Sequence, residues 1–149
     1  MIRKYFILFF VVFMAGCAKP PVFEQYVEME GQVWNRFDFL FFEMPVQENQ
    51  LYDFYFDVWF TEDYPWNDIE LNITFYESGG SMRSADYTFD FDKSESNTEA
   101  VFENKFTIIK GMQFGSAGIC KIRVENKMHK MQTPGIKKVG LVARLSDSD

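Results

Sequence analysis

The sequence is poor in the residues that build metal centres and hydrolytic active sites. Two cysteines and one histidine, His129, occur among its 149 residues. Zinc sites need several His or Cys ligands, and covalent hydrolysis needs a nucleophile beside a base. His129 lies in a segment rich in lysine and methionine, with no serine motif nearby. We therefore expect no catalytic residue, no metal and no cofactor, and the sequence predicts a protein that is not an enzyme.

Calcium is the one metal that acidic side chains of this chain could hold. Asp63 and Asp68 form one possible group of oxygen ligands, and Asp86, Asp90 and Asp92 form another. Neither group has the twelve-residue loop pattern of an EF-hand. Alternating aspartates are typical of the solvent-facing side of a strand, and we expect that role for them.

Basic residues are outnumbered by acidic ones, 15 to 22. All the acidic residues follow Cys17, whereas Arg3 and Lys4 precede it. Cleavage before Cys17 would leave 13 basic and 22 acidic residues, and so a net charge of −9. Such a chain repels phosphate backbones, which excludes nucleic acid as a partner. The same charge favours a domain that stands off the membrane on a tether over one that lies flat on anionic headgroups.

The one long apolar run lies at the amino terminus. Two cations precede an apolar segment from residue 5 to 14, which is too short for a transmembrane helix of about 20 residues. Ala15 and Gly16 then supply the small residues that a signal peptidase needs before Cys17. This layout predicts a bacterial lipoprotein with a signal peptide at residues 1–16. The alternative is an ordinary secretory signal that has a cysteine near its cleavage site.

Lipidation of Cys17 would fix the location of the protein. Its thiol would carry a diacylglycerol and its amine a further acyl chain such as palmitate. Each buried methylene adds about 0.8 kcal/mol, so two or three chains hold a protein on a membrane almost permanently. Residues 17–25, which include Pro20 and Pro21, are expected to form an acylated tether. Residues 26–149 are expected to form a single domain.

Cys120 has no disulfide partner if Cys17 is acylated. It alternates with charged residues and shares one side of a predicted strand with Ile122 and Val124. We therefore expect a small buried hydrophobic residue and not a reactive nucleophile.

Beyond the tether, the apolar residues repeat with a period of two and not 3.6, which is typical of half-buried strands. The alternation is clear within four segments: 52–60, 69–76, 87–92 and 139–145. Further strands are predicted at about 26–30, 37–44, 104–110 and 119–125. The segment 37–42 is almost continuously apolar and is expected to be covered on both sides.

Turn and loop signals separate these strands. Ser78-Gly79-Gly80-Ser81 has the composition of a hairpin turn, because glycine accepts the positive φ that tight turns demand. Loops are expected at 46–50, 62–68, 93–99 and 127–135. No amphipathic helix is indicated. The sequence therefore predicts an all-β fold, a single jelly-roll-like β-sandwich of about seven to nine antiparallel strands.

Four aromatic residues have two interpretations. Tyr55 and Trp59 lie on the predicted outer face of one strand, and Tyr64 and Trp66 flank Pro65 in the following loop. The first interpretation makes Tyr64 and Trp66 a plug over one end of the sandwich. The second makes all four a contact surface for a protein partner or a glycan, because Trp and Tyr bury large, rigid area at low entropic cost.

Several short motifs follow one another in the order and spacing of a known family. Besides the signal ending at Cys17, they are Tyr26, Val27, Gly31 and Trp34, then Thr61-Glu62-Asp63-Tyr64-Pro65-Trp66, then Gly118, Val124-Glu125-Asn126-Lys127-Met128, Pro134-Gly135-Ile136 and Val139-Gly140-Leu141. Together they resemble the GldH-type gliding-motility lipoproteins of the Bacteroidota. Residues 82–115 match weakly, and His129 stands where the family has Arg.

The resemblance implies an outer-membrane lipoprotein that supports the gliding-motility and type IX secretion machinery, with no catalytic residue. Similar proteins also occur in members of the phylum that do not glide. Surface-exposed lipoproteins of this phylum tend to have acidic residues after the lipidated cysteine. Here Ala18-Lys19-Pro20-Pro21 follows, which favours the periplasmic face. The expected partners are the membrane, through the lipid anchor, and envelope proteins of that machinery; a glycan-binding lipoprotein is the alternative.

Overall fold

The computed structural model describes residues 20–93 and 101–147 of the chain. The signal peptide, Cys17 and most of the predicted loop 93–99 lie outside the described residues. The described part contains ten strands: β1 (Phe23–Glu28), β2 (Val33–Asn35), β3 (Leu40–Val46), β4 (Leu51–Thr61), β5 (Asp68–Tyr76), β6 (Met82–Asp90), β7 (Val101–Gln113), β8 (Gly118–Asn126), β9 (Gln132–Pro134) and β10 (Ile136–Leu145). A single 3₁₀ turn, Glu30–Gln32, precedes β2. The predicted all-β class is confirmed.

Two four-stranded sheets form the sandwich. Sheet A has the order β1-β10-β4-β7, and sheet B has the order β3-β8-β5-β6. The eight long strands pair antiparallel in a nested way: β1 with β10, β3 with β8, β4 with β7 and β5 with β6. Nested pairs of this kind, divided between two packed sheets, form the jelly-roll topology. The predicted jelly-roll-like sandwich is therefore confirmed.

The core consists of the period-two apolar residues of both sheets. Alternate residues of β4 face inward, and Phe54, Phe56, Val58 and Phe60 are fully buried there. Phe54 meets Phe75 of β5 edge to face, with ring centroids 5.0 Å apart. Each such side chain contributes about 1.5–3 kcal/mol by leaving water, which accounts for the cohesion of the two layers.

The first strand begins earlier than the sequence indicated. β1 starts at Phe23, and the amide of Val22 already donates to the carbonyl of Ala143 at 2.9 Å. The ladder with β10 extends this far because the extended backbone that follows Pro21 already lies in register with that strand. Residues 23–25, which were predicted as part of the tether, therefore belong to β1.

The interpretation of segment 37–42 as a strand covered on both sides is wrong. β3 begins at Leu40, after a turn in which the amide of Asp38 donates to the carbonyl of Asn35 at 3.0 Å. Phe37, Phe39 and Phe41 are exposed. β3 is an edge strand of sheet B, and no layer of the described residues covers its outer face.

The predicted loop 127–135 contains a short strand. Its residues Gln132–Pro134 form β9, which pairs with β2 in a separate two-stranded ladder. This ladder raises the strand number to ten in the described residues, above the seven to nine predicted. Three residues are too few for an alternation pattern, so the sequence contains no sign of β2 or β9. The turn at residues 78–81 is confirmed, since the amide of Glu77 donates to the carbonyl of Ser81 at 2.8 Å.

The sandwich has two ends that differ in their relation to the tether. One end, here called the anchor end, holds the start of β1, and the antiparallel ladders place the starts of β4 and β8 there as well. The opposite end, here called the distal end, holds the end of β4 and the start of β10. β4 has 11 residues, so the two ends lie about 35 Å apart. No helix in the described residues has the length and hydropathy needed to cross a bilayer.

Candidate functional site

Tyr55 and Trp59 lie on the outer face of sheet A, where the sequence placed them, and both are partly exposed. Trp59 is already in contact with two neighbours. The ammonium of Lys138 lies 4.4 Å from the centroid of its ring, and Tyr26 meets it edge to face at 5.1 Å. Because a cation held over an indole face is attracted to it, a sugar could stack on that face only by displacing Lys138.

A buried carboxylate lies beside Trp59 on the same face. Asp57 is fully buried, although its position in β4 alternates with the core residues. The hydroxyl of Tyr26 has two carboxylate acceptors, Glu24 Oε1 at 2.5 Å and Asp57 Oδ2 at 3.3 Å. Lys105 Nζ lies 3.8 Å from Asp57 Oδ2, and Oδ1 has no hydrogen-bond partner among the described residues.

The electrostatics of this group follow from its burial. Loss of water raises the pKa of the Asp57 carboxyl above its ordinary value, and the charge of Lys105 opposes that rise without cancelling it. Burial also raises the pKa of the Tyr26 hydroxyl, and Glu24 and Asp57 raise it further. The arrangement fastens the edge strand β1 across sheet A. It leaves no open side of Asp57 to which a substrate could bind.

Tyr64 and Trp66 close the distal end of the sandwich. Tyr64 is 1 % exposed, its hydroxyl donates to the carbonyl of Asp68 at 2.6 Å, and its ring lies 4.5 Å from that of Phe60. Trp66 covers it edge to face at 5.3 Å and stays partly exposed. This geometry agrees with the first interpretation, in which Tyr64 and Trp66 form a plug over one end of the sandwich. Burial removes the Tyr64 ring from any contact surface, so its expected contact with a partner or glycan is incompatible with this fold.

Gly135 explains how the plug fits. A Cβ at this position would lie 2.2 Å from the backbone nitrogen of Tyr64, and φ is +77°, a value that glycine accepts readily. The carbonyl of Gly135 accepts a hydrogen bond from the amide of Thr61 at 2.8 Å. The segment Pro134-Gly135-Ile136 therefore holds the loop 62–68 against the core.

Asn126 forms a buried polar network that sequence reasoning missed. Its amide nitrogen donates to the carbonyl of Trp34 at 3.2 Å and to Thr133 Oγ1 at 2.9 Å, and its Oδ1 accepts from the amide of Met128 at 2.9 Å. The network joins β8 to both strands of the β2–β9 ladder. The sequence contained one sign of this network, since Asn126 is a polar residue at an inward-facing position of β8.

Cys120 and His129 are the two residues that the sequence offered for chemical reactivity. Cys120 is buried, as predicted, and burial raises the pKa of its thiol to about 12. His129 is exposed in the turn after β8. No group of three or more His, Cys, Asp or Glu side chains in the described ranges could hold a metal ion, so Asp86, Asp90 and Asp92 do not form such a group.

The distal end carries a cluster of exposed apolar side chains, here called the distal patch: Phe37, Phe39, Phe41 and Met131, which are 38 to 66 % exposed. Phe37 and Met131 line an open depression of about 550 Å³ together with Arg36 and Lys130. Farther along β3, Lys121 Nζ lies 4.6 Å from the Phe41 ring centroid. The sequence did not indicate this surface, because an apolar run is typical of core.

These features define an all-β protein of jelly-roll type whose exposed aromatic residues are concentrated at one end. The family described as GldH lipoprotein matches residues 21–142. The chain therefore belongs to the GldH lipoprotein family, and the resemblance seen in its motifs is confirmed.

No curated protein matches the sequence. Among solved structures, the fold is similar to part of dimeric latent PorU from Porphyromonas gingivalis, with 8 % identity and a TM-score of 0.39. The likeness covers 83 % of this chain but 12 % of that one. At such a low TM-score it supports no argument about function.

Proposed function

We propose that this protein is a non-catalytic accessory of the outer membrane that supports the gliding-motility and type IX secretion machinery. Acyl chains on Cys17 hold it on the periplasmic face, and the distal patch contacts an envelope protein. Membership of the GldH lipoprotein family associates the chain with gliding motility and with lipid anchoring. The exposed distal patch is the observation that supports a role through protein contacts.

The composition of the distal patch favours a protein partner. Single exposed apolar residues are common on soluble proteins, but contiguous aromatic patches rimmed by polar residues mark interaction sites. Phe and Met are enriched at protein interfaces, where large side chains supply most of the binding energy. Three phenylalanines and Met131 at one end give the partner several anchors.

Charge indicates the chemistry of that partner. Arg36 and Lys130 line the depression beside Phe37, and among the described residues no acidic side chain lines it. Arg123 lies 5.5 Å from the ring centroid of Phe39 and is paired with Glu125, 4.0 Å away. The chain as a whole is acidic, with 22 acidic and 15 basic residues. The two cations at the depression complement a partner segment that carries acidic residues beside apolar ones.

The glycan alternative is less well supported. It would use Trp59, with Tyr55 beside it, but the Trp59 ring is in contact with Lys138 and Tyr26. Of the loop residues, Trp66 is partly exposed and packs on Tyr64. No open row of aromatic faces of the kind that stacks on sugars lies along sheet A in the described residues.

Cross-linking in the native envelope tests the proposal. The double variant Phe37→Ser/Met131→Ser should lose its cross-link to a component of the gliding or secretion complex and should impair secretion, while remaining acylated. Met82→Ser is the matched control, since Met82 is 62 % exposed but lies outside the patch. A double variant that keeps both the cross-link and normal secretion would contradict the proposal. Glycan binding that disappears in Trp59→Ala would support the alternative instead.

A further inference from the structure

A second group of exposed apolar side chains lies at the anchor end. Val22, Leu51 and Ile119 are 42 to 52 % exposed, and Pro45 is exposed beside them. Val22 and Leu51 lie about 35 Å from the distal end, at the other end of β4, and Pro45 lies four residues beyond Phe41 on β3. Neither group belongs to the core, so each needs its own explanation.

The four residues lie at the ends of strands in both sheets, all at the anchor end. Pro45 and Ile119 are cross-strand partners in sheet B. Val22, at the start of sheet A, lines a shallow depression of about 230 Å³ together with Pro45 and Leu145. The amide of Ser146 donates to the carbonyl of Leu51 at 3.0 Å, which places Leu51 at the end of β10. We call this surface the anchor-end patch: Val22, Pro45, Leu51 and Ile119.

The length of the tether fixes what this patch faces. Five residues lead from Cys17 to Val22, and an extended chain spans at most about 3.6 Å per residue, so the Cα of Val22 lies within about 18 Å of the Cα of Cys17. The hydrogen bond from the amide of Val22 to the carbonyl of Ala143 holds Val22 against the end of β10. The headgroup region of one leaflet is about 5–8 Å thick, so this end of the sandwich can reach the hydrocarbon boundary.

The loop at this end has a composition that suits a lipid interface. Residues 47–50 read Gln-Glu-Asn-Gln and provide one charge among three amide side chains. Amides can exchange hydrogen bonds with headgroups, and apolar side chains beside them can enter the acyl boundary. An end-on contact of this kind also agrees with a net acidic domain, because it brings little of the domain surface against anionic headgroups.

We propose that the anchor-end patch rests in the phospholipid interface, so that the sandwich stands end-on and presents its distal patch to the periplasm. This inference rests on the proposed acylation of Cys17. The occupant of the patch is the bilayer itself. A second copy of the chain or a protein partner is the competing outcome in the experiment below.

Site-specific fluorescence of the full acylated chain tests this inference. The variants Leu51→Cys and Ile119→Cys report on the patch, and Phe37→Cys and Met131→Cys are controls of similar exposure at the distal end. Cys120 is fully buried with a thiol pKa of about 12, so an environment-sensitive label reacts with the introduced cysteine. The labelled proteins are reconstituted into phosphatidylethanolamine–phosphatidylglycerol vesicles, with and without brominated lipids.

Labels at residues 51 and 119 should emit at shorter wavelength and lose about half or more of their intensity with brominated lipids, whereas labels at 37 and 131 should do neither. Equal behaviour at the two ends, in protein that floats with the vesicles, would overturn the end-on contact and leave the anchor intact. A shift at residues 51 and 119 without quenching by brominated lipid would identify a protein contact and also overturn it. Failure to float would overturn the acylation and this inference together.

Discussion

The ring of Tyr26 lies directly on the backbone of Gly140 in the neighbouring strand. A Cβ at residue 140 would lie 2.1 Å from Cδ1 of Tyr26, far inside van der Waals contact. In cross-strand register, Gly140 stands between Tyr26 of β1 and Asp57 of β4. The missing side chain lets the tyrosine reach across β10 to the buried carboxylate. This relationship gives a steric reason for glycine in the motif Val139-Gly140-Leu141.

Replacement of Gly140 by alanine should destabilise the protein. The added methyl group must displace either the Tyr26 ring or the backbone of β1, and overpacking of this kind costs about 1–3 kcal/mol. We expect a lower urea midpoint at an unchanged m-value, measured by the fluorescence of Trp59 and the other tryptophans.

Gly115→Ala is the matched control for this prediction. No atom lies within 4 Å of a Cβ built at residue 115, so its free energy of unfolding should change by less than about 0.5 kcal/mol. Equal midpoints for the two variants would show that β1 moves aside without cost and that the Tyr26 contact is dispensable.

Asp57 should make the free energy of unfolding fall as pH rises. An ion-paired carboxylate, whose pKa is lowered, has the opposite effect. The folded pKa of Asp57 is raised above the ordinary value of 3.8, mainly by burial. The protonated carboxyl therefore contributes its full stabilisation to the folded state below that value, and this stabilisation is lost as pH rises through the folded pKa. Asp57→Asn has no such loss, so the variant should gain stability relative to wild type as pH rises above about 4. The gain should be about 1.4 kcal/mol for each tenfold difference between the acid dissociation constants of the folded and unfolded states.

The measurement is a series of urea unfolding curves at several pH values for wild type and Asp57→Asn. Asp90→Asn removes the same charge from an exposed position and controls for the change in net charge. A difference between wild type and Asp57→Asn that stays constant with pH, or that falls as pH rises, would show that the carboxyl is not destabilised by its burial.

Features that depend on the residue pattern of a single strand could be predicted from the sequence. Phe54, Phe56 and Phe60 alternate with polar residues, and burial of every second residue is a property of the strand itself. The jelly-roll type followed from the number of such strands in a small domain. Cys120 could be placed inside because it shares its side of β8 with apolar neighbours.

Features that depend on a second strand could not be predicted in this way. The alternation within β4 predicts that Asp57 faces solvent, yet Tyr26 of β1 covers it. The sequence of β4 alone does not show that another strand covers this position. Phe41 is apolar but lies on an edge strand with no covering layer among the described residues. The distal patch was missed for the same reason, because composition alone does not separate an exposed contact residue from a core residue.

Cys120 should be unreactive in the folded protein. A thiol pKa of about 12, against an ordinary value of 9.0, lowers the thiolate fraction at pH 8 by about three orders of magnitude, and full burial blocks access of the reagent. Labelling with an aromatic disulfide reagent should be negligible in buffer and complete in urea. An exposed control, Ser81→Cys, should react at once in both solvents. Rapid native labelling at Cys120 would mean that β8 opens locally without global unfolding.

Asn126 should be the most sensitive polar residue of the distal end. Alanine there would remove two donated hydrogen bonds, to Trp34 and Thr133, and the acceptor of the Met128 amide, all in a buried region. Buried groups that lose their partners cost about 1–3 kcal/mol each, so a loss of about 3 kcal/mol in the free energy of unfolding is expected.

The loss at Asn126 should also be local, because its bonds hold the β2–β9 ladder onto β8. In Asn126→Ala, hydrogen exchange should accelerate in the amides of residues 33–35 and 132–134 before it does in β4. Asn72→Ala is the control: its amide donates to Asp86 at 2.8 Å on the solvent-facing side of sheet B, so its loss should cost less than about 1 kcal/mol and leave the ladder protected. If both variants lost equal stability, or if exchange rose uniformly across the chain, the network would contribute nothing specific to this ladder.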